Sequence, residues 1–227
     1  MMADWIVAAT TWVIPLILAV TLHEAAHGYM AARLGDDTAL RLGRVTANPL
    51  RHIDPFGTLI LPGLLLLSGA RFLFGWAKPV PVNFNRLRPQ RLGMIVVAAA
   101  GPATNLTLAT LSALLIHVAV MLPPMLQVWL GQNLLNSITI NLVLAVFNML
   151  PLPPLDGGRV AVGILPRSLA RPLARLENFG ILIILGALFI LPLIGDRIGI
   201  DLNVFVWLVG GPVEYLAGAI YTLTGLT

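Results

Sequence analysis

Apolar residues run along this chain in stretches too long and too unbroken for the faces of a soluble domain. The first covers residues 5–34, and others lie at about 92–121, 132–150, 179–195 and 203–224. A bilayer core about 30 Å thick takes roughly 20 helical residues to cross, and 30 residues rising 1.5 Å each reach about 45 Å, enough to span and protrude. Five spanning helices are therefore expected. Residues 56–70 are also apolar, but short and interrupted by Pro62-Gly63.

Polar stretches separate these runs. In residues 36–55, the alternation in Ala39-Leu40-Arg41-Leu42 and Val45-Thr46 predicts a short strand. Within 71–91, Pro79-Val80-Pro81-Val82-Asn83 reads as extended chain or an edge strand. The expected fold is an all-α polytopic membrane protein with about five spanning helices, one re-entrant hairpin and a small membrane-associated β element.

Charge sets the orientation. The three loops 36–55, 71–91 and 151–178 hold most of the arginines, whereas 122–131 has no charge at all. The positive-inside rule places those three loops in the cytoplasm and 122–131 outside. Both flanks of 56–70 then lie on one side, so that segment re-enters rather than crosses. The net charge of +4 is confined to loops and forms no basic stripe interleaved with aromatics, so nucleic acid is not an expected partner. Only 11% of the residues are charged and 58% are hydrophobic, against about 25% charged in a soluble domain. The N-terminus lacks a basic region ahead of its apolar run, so it is not read as a cleaved signal.

The chain has no cysteine, which excludes disulfides and thiolate metal sites and leaves His and carboxylate as ligands. The candidate chemistry begins at His23-Glu24-Ala25-Ala26-His27. Helical positions i and i+4 share a face, so two imidazoles so placed can converge on one metal ion. Glu24 lies one residue round, beside the metal, where it can take a proton from a bound water. Two histidines and a glutamate inside an apolar helix are costly unless they are paired or functional. The bland alternative is a pair of satisfied helix-end histidines.

A catalytic zinc takes three protein ligands and keeps a fourth position open. The best third candidate is Asp156, in the run Asn148-Met-Leu-Pro-Leu-Pro-Pro-Leu-Asp156-Gly-Gly. Pro151, Pro153 and Pro154 must end the preceding helix, leaving bare backbone that only protein or a wet cavity can satisfy. Asp156 as a simple helix cap is the alternative. Topology agrees with ligation: an even number of crossings must separate the two helix ends, and 92–121 and 132–150 supply two. With Arg33 at the interface, the metal lies roughly 10–15 Å below the surface.

These motifs resemble the site-2 protease family of intramembrane metallopeptidases. The resemblance rests on His23–His27, on Leu155-Asp156-Gly157 preceded by Asn148 and the proline run, and on three further stretches. Those are Asn48-Pro49 with His52-Ile53-Asp54-Pro55, Gly75–Asn83, and Gly101-Pro102 with Asn105. They resemble the family's small prokaryotic branch, and the expectation is that no PDZ or CBS domain is attached. The resemblance implies one Zn²⁺ held by His23, His27 and Asp156, with Glu24 as base and Asn148 lining the site. It implies substrates that are themselves transmembrane helices of proteins in the lipid bilayer, cleaved in regulated intramembrane proteolysis. The expected location is a prokaryotic cell membrane, with the active site toward the cytoplasm.

The whole chain, 1–227, is then one membrane-embedded peptidase domain, with a catalytic core over about 5–165 and accessory helices over about 179–224. Pro79, Val80, Pro81, Val82 and Asn83 are candidates to receive an unwound substrate as an added strand, a structural loop being the alternative. Asn148 either hydrogen-bonds the substrate or is a satisfied helix-end amide. For Asn105, close helix packing is the expected role. His52 and His117 are expected to be structural. A metal- or ion-handling transporter and an inactive protease-like scaffold are the rival readings of the chain.

Overall fold

The computed structural model describes residues 2–67 and 75–226. Helix α1 (Met2–Arg33) is followed by the single turn α2 (Thr38–Arg41), by α3 (Leu61–Leu67), and by the long helices α4 (Gln90–Ala119) and α5 (Pro124–Asn148). Two short helices, α6 (Asp156–Ile164) and α7 (Arg167–Arg175), then lead to the C-terminal segments. Among the described residues, five helices are long and apolar enough to cross a membrane: Ala9–Arg33, Gln90–Ala119, Pro124–Asn148, Gly180–Ile198 and Val206–Thr224. Their outward faces carry exposed Trp12, Leu18, Leu114, Leu182 and Leu193. Water would not tolerate so continuous an apolar exterior, whereas lipid solvates it.

Helices α1, α4 and α5 pack on one another as a three-helix core. Lipid tails are as apolar as leucine, so helices in a bilayer associate by close packing and interhelical hydrogen bonds. Both devices are present. Ala109 and Ala113 of α4 meet Ile138 and Leu142 of α5, and Ile220 of the last span closes the same cluster. Asn136 on α5 donates to the Thr11 carbonyl on α1 at 2.8 Å.

Helix α5 stops at Asn148, ahead of the three prolines, and the chain folds back before α6 begins. Gly157 and Gly158 make that fold possible. A Cβ on Gly157 would lie 2.1 Å from the Met149 carbonyl oxygen, and one on Gly158 would lie 2.2 Å from the Pro153 nitrogen. Arg91 of α4 reaches across to the Gly163 carbonyl at 2.7 Å and fixes the far end of α6. The start of α6 is thereby held beside the core.

The segment at 56–70 keeps part of its expected form. Pro62-Gly63 does not turn the chain: a wide helical run, Pro55–Ile60, passes directly into α3. Residues 68–70, the far end of the expected hairpin, lie outside the described residues. Trp76 nevertheless returns beside the start of the segment, its N–H bonded to the Gly57 carbonyl at 3.1 Å. The Thr58 hydroxyl donates to the Trp76 carbonyl at 2.8 Å. The chain therefore leaves and comes back at one end and makes no net crossing.

The small β element is not found; there is no strand among the described residues. At 38–42 the backbone closes on itself, with Arg41 N bonded to Asp37 O at 2.9 Å and Leu42 N to Thr38 O at 3.2 Å. Residues 79–83 are extended, as the two prolines require, but form no ladder. Pro79 and Pro81 have no N–H, and the amides of Val80 and Asn83 go to the side chains of Glu24 and Asp36.

Asp36, fully buried just past α1, anchors this extended segment. Its carboxylate accepts from the Asn83 amide at 2.6 Å and from the Thr38 amide at 3.2 Å, and also from the Thr38 hydroxyl. Burial opposes its charge, but the Thr38 hydroxyl, the two amides and nearby Arg86 outweigh that and hold the carboxyl below its ordinary value.

Candidate active site

His23 and His27 sit one helical turn apart on α1, with ring centroids 4.7 Å apart and planes at 83°. Each ring is held from behind. The His27 Nδ1 lies 2.7 Å from the Val97 carbonyl oxygen, and the His23 Nδ1 lies 2.6 Å from Asn105 Oδ1. Backbone and amide carbonyl oxygens only accept, so Nδ1 carries the proton in both rings and each Nε2 presents a lone pair.

The two Nε2 atoms are 3.1 Å apart. Asp156 Oδ2 completes a triangle, 3.2 Å from His23 Nε2 and 3.3 Å from His27 Nε2. That oxygen is buried and has no hydrogen-bond partner. Three electron-rich atoms thus face one another out of water, an arrangement that repels itself unless a cation sits between them. Tetrahedral ligands bonded at about 2.0–2.1 Å stand about 3.3–3.4 Å from one another. The triangle has nearly those edges, and N, N and O donors suit zinc. Among the described residues these three form the one group able to hold a metal ion, and all three are buried.

The wall behind the triangle is backbone. A Cβ on Gly101 of α4 would lie 2.5 Å from His27 Nε2 and 2.6 Å from His23 Nε2. Only glycine lets α4 approach the imidazoles this closely. Asp156 occupies the first turn of α6 without capping it, so the simple capping alternative is not what the structure shows. Its negative charge there also complements the positive end of the helix.

Glu24 is half-buried next to His23, and its Oε2 accepts from the Val80 amide at 2.7 Å. The extended segment Pro79–Asn83 therefore lies over the start of the motif rather than apart from it. Arg44 fixes the same segment by donating to the Lys78 carbonyl at 2.8 Å. Asn148 is half-buried, and its amide donates to Leu144 O of its own helix at 3.0 Å. It makes no hydrogen bond to the triangle. His52 and His117 bond the carbonyls of Thr46 and Thr224, at 3.1 and 2.8 Å, and stay outside the group.

Asn105 has a role that sequence reasoning passed over. It is fully buried and does sit in the α1–α4–α5 interface, but its side chain orients a histidine rather than merely filling space. Its spacing after Gly101-Pro102 was visible; its contact, 82 residues away in sequence, was not.

The sequence profile of Peptidase family M50 matches residues 125–193, which take in α5, the proline-rich loop and Asp156. The chain is 42% identical over 185 residues to a Bacillus subtilis protein named "Putative zinc metalloprotease YwhC", covering 80% of each chain. This chain belongs to peptidase family M50. Two further relatives carry the name "Putative zinc metalloprotease Rip2". The one from Mycolicibacterium smegmatis is 32% identical over 74% of this chain and 62% of its own length. The one from Mycobacterium tuberculosis strain H37Rv is 34% identical over 78% and 65%. This M50 chain thus spans under two thirds of the Rip2 proteins. No solved structure matches it.

Proposed function

We propose that this M50 peptidase is an intramembrane zinc metalloprotease that cuts peptide bonds within or beside the transmembrane helices of other membrane proteins. The triangle of His23 Nε2, His27 Nε2 and Asp156 Oδ2, with edges of 3.1–3.3 Å, is the observation that carries this reading. Those three side chains hold the ion, Val97 and Asn105 orient the two rings, and the Gly101 backbone closes the rear. Zinc bound there supplies the positive charge that acidifies a water molecule and polarises the scissile carbonyl.

Glu24, one residue from His23, accepts the proton from the attacking water and returns it to the leaving amide nitrogen. With Asp156 and Glu24 ionised and both imidazoles neutral, the formal charge around a divalent cation is zero, which makes burial tolerable. A helical substrate keeps its carbonyls in i→i−4 bonds and must unwind before attack. In this reading extended Pro79–Asn83 receives the unwound stretch, and its tie to Glu24 through Val80 supports that role. Asn148, at the end of α5, is the candidate to hold the substrate backbone.

The reading treats the chain as one peptidase domain, with α1 to α6 as the catalytic core and the last two spans as accessory helices, of which Val206–Thr224 packs on α4 and α5. The arginine-bearing loops favour a cytoplasm-facing site in a prokaryotic cell membrane. Purified protein in detergent, incubated with a labelled single-span substrate, tests the proposal. Zinc-loaded protein should cleave it, chelation should stop cleavage, and Glu24→Gln should keep zinc but lose activity. Full activity in Glu24→Gln would overturn the assignment.

A further inference from the structure

The two histidines are oriented by different means. His27 faces a backbone carbonyl, Val97 O, which cannot turn round. His23 faces the side-chain amide of Asn105, which can. Rotated by 180°, that amide would present N–H groups to His23 Nδ1 and drive the imidazole proton to Nε2. The proton would then point at Asp156 Oδ2, 3.2 Å away, and occupy the lone pair a metal needs. Something must hold Asn105 in the productive sense.

Asn141 on α5 does so. Its Nδ2 lies 2.9 Å from the Ser137 carbonyl oxygen and 3.2 Å from the Ser137 hydroxyl. A carbonyl only accepts, so this end of the Asn141 amide is the donor and Oδ1 is the other end. That Oδ1 lies 2.7 Å from Asn105 Nδ2, which must donate to it. The same Nδ2 reaches the Ala19 carbonyl at 3.4 Å, a second acceptor in the same sense. Asn105 Oδ1 is left to accept from His23. Beyond Ser137, its hydroxyl pairs with that of Ser112 at 2.8 Å.

We propose that Asn141, which touches neither the metal group nor a reacting atom, is a positioning residue for zinc: it fixes the sense of the Asn105 amide and thereby the tautomer of His23. The direction of the whole chain of bonds originates in one immovable carbonyl, Ser137 O. Asn105 is fully buried and Asn141 is 1% exposed, at bilayer depth, so no water can replace a lost partner. Amides in ordinary helix contacts need no fixed polarity. This pair does, because a histidine lone pair depends on it. The inference rests on zinc binding at His23 and not on the identity of any substrate.

The test reads zinc affinity and histidine tautomer, not cleavage. Zinc dissociation constants are measured on the full chain in detergent by competition with a chromophoric chelator. Asn141→Leu leaves Asn105 free to rotate and should weaken zinc about 10-fold, the lower end of the loss seen when outer partners of a zinc ligand are removed. Asn141→Asp, a neutral acid at this depth, can still accept from Asn105 and donate to Ser137 O; it should bind zinc within about 2-fold of wild type. Nitrogen-15 spectra of the metal-free wild type at about pH 9, where imidazole is neutral, should show His23 protonated at Nδ1 alone. Asn141→Leu should add an Nε2-protonated population.

Unchanged zinc affinity and a single tautomer in Asn141→Leu would overturn the proposal. So would an equal loss in Asn141→Asp, which would mark a packing role only. If Asn141→Leu does not fold, the wild-type spectrum decides: a dominant Nε2–H on His23 refutes the proposal. Failure of cleavage with intact zinc binding and the expected tautomer would count against the protease reading alone.

Discussion

The carboxylate of Glu24 accepts a hydrogen bond from the backbone amide of Val80, 56 residues away in sequence, at 2.7 Å. The side chain proposed to move the proton is thus held by the same segment proposed to receive the substrate. Val80 is flanked by Pro79 and Pro81, which hold it extended and leave its amide as the one N–H of that tripeptide. Substitution Val80→Pro deletes this donor while keeping the extended backbone; Val80→Ala keeps the donor and removes only side-chain packing. Because small misplacements of a catalytic group are costly, kcat should fall about 10- to 100-fold in Val80→Pro with zinc content unchanged. Val80→Ala should stay close to wild type. Turnover of a single-span substrate, measured alongside elemental analysis, separates the two, and equal kcat values would show that the contact does not aim Glu24.

Gly101 offers a sharper steric test. A methyl group there would lie 2.5–2.6 Å from ring atoms of both histidines, well inside contact distance. Either the rings turn away or α4 retreats, and both spoil the triangle. Gly101→Ala should therefore lose most of its bound zinc, and the overpacking should cost about 1–3 kcal/mol. One zinc per chain in the purified variant, by elemental analysis, would show that the wall is softer than the geometry says.

Which parts of this site were legible in the sequence follows from the range of the interactions involved. His23 and His27 were readable because one helix sets their spacing. Asp156 was readable because three prolines force irregular backbone beside an acid, and because counting crossings placed it on the histidine side. The partners that orient the site come from elsewhere in the chain: Asn105 and Val97 on α4, Asn141 on α5, Val80 in the extended segment. No local pattern marks an asparagine as a histidine's acceptor rather than a packing residue. The expected strands failed for a related reason. Alternation in Ala39–Leu42 satisfies a strand pattern, but strands need a partner, and here one turn of helix closed the backbone first. In Pro79–Asn83 the prolines gave an extended chain, and two distant carboxylates, Glu24 and Asp36, took the amides a ladder would have used.

Asp156 is the one proposed ligand that carries charge, and Oδ2 has no other partner. Asp156→Ala leaves two imidazoles and no compensating negative charge, so zinc per chain should drop from about one to a small fraction. Binding to the folded state alone raises stability with ligand concentration. Added zinc should accordingly raise the Tm of the wild type in detergent but not that of Asp156→Ala. A parallel rise in both would place the ion elsewhere.

Asp36 gives the fold a dependence on pH that is separable from the chemistry. Its carboxyl is held below the ordinary aspartate value of about 3.9, against its burial, by the Thr38 hydroxyl, the Asn83 and Thr38 amides and Arg86. A depressed folded-state pKa means that the unfolded chain takes up the proton first as pH falls. The stabilisation is therefore complete above about pH 5 and is lost on acidification through the folded-state value. Asp36→Asn removes the charge but keeps the size. It should lower Tm at neutral pH, since charge-assisted bonds to two amides are weakened, by an amount corresponding to about 1–3 kcal/mol. The difference from wild type should then begin to shrink as pH falls below about 5, because the unfolded wild-type chain takes up a proton there that the folded carboxylate still resists. Thermal scans of both proteins in detergent across that range measure the gap directly. A gap that stays constant down to pH 3 would mean that the Asp36 charge does not anchor the extended segment. Because Asp36 holds Asn83 while Glu24 holds Val80, loss of that anchor should also loosen the segment over the active site, and proteolytic nicking near residues 75–88 should rise as Tm falls.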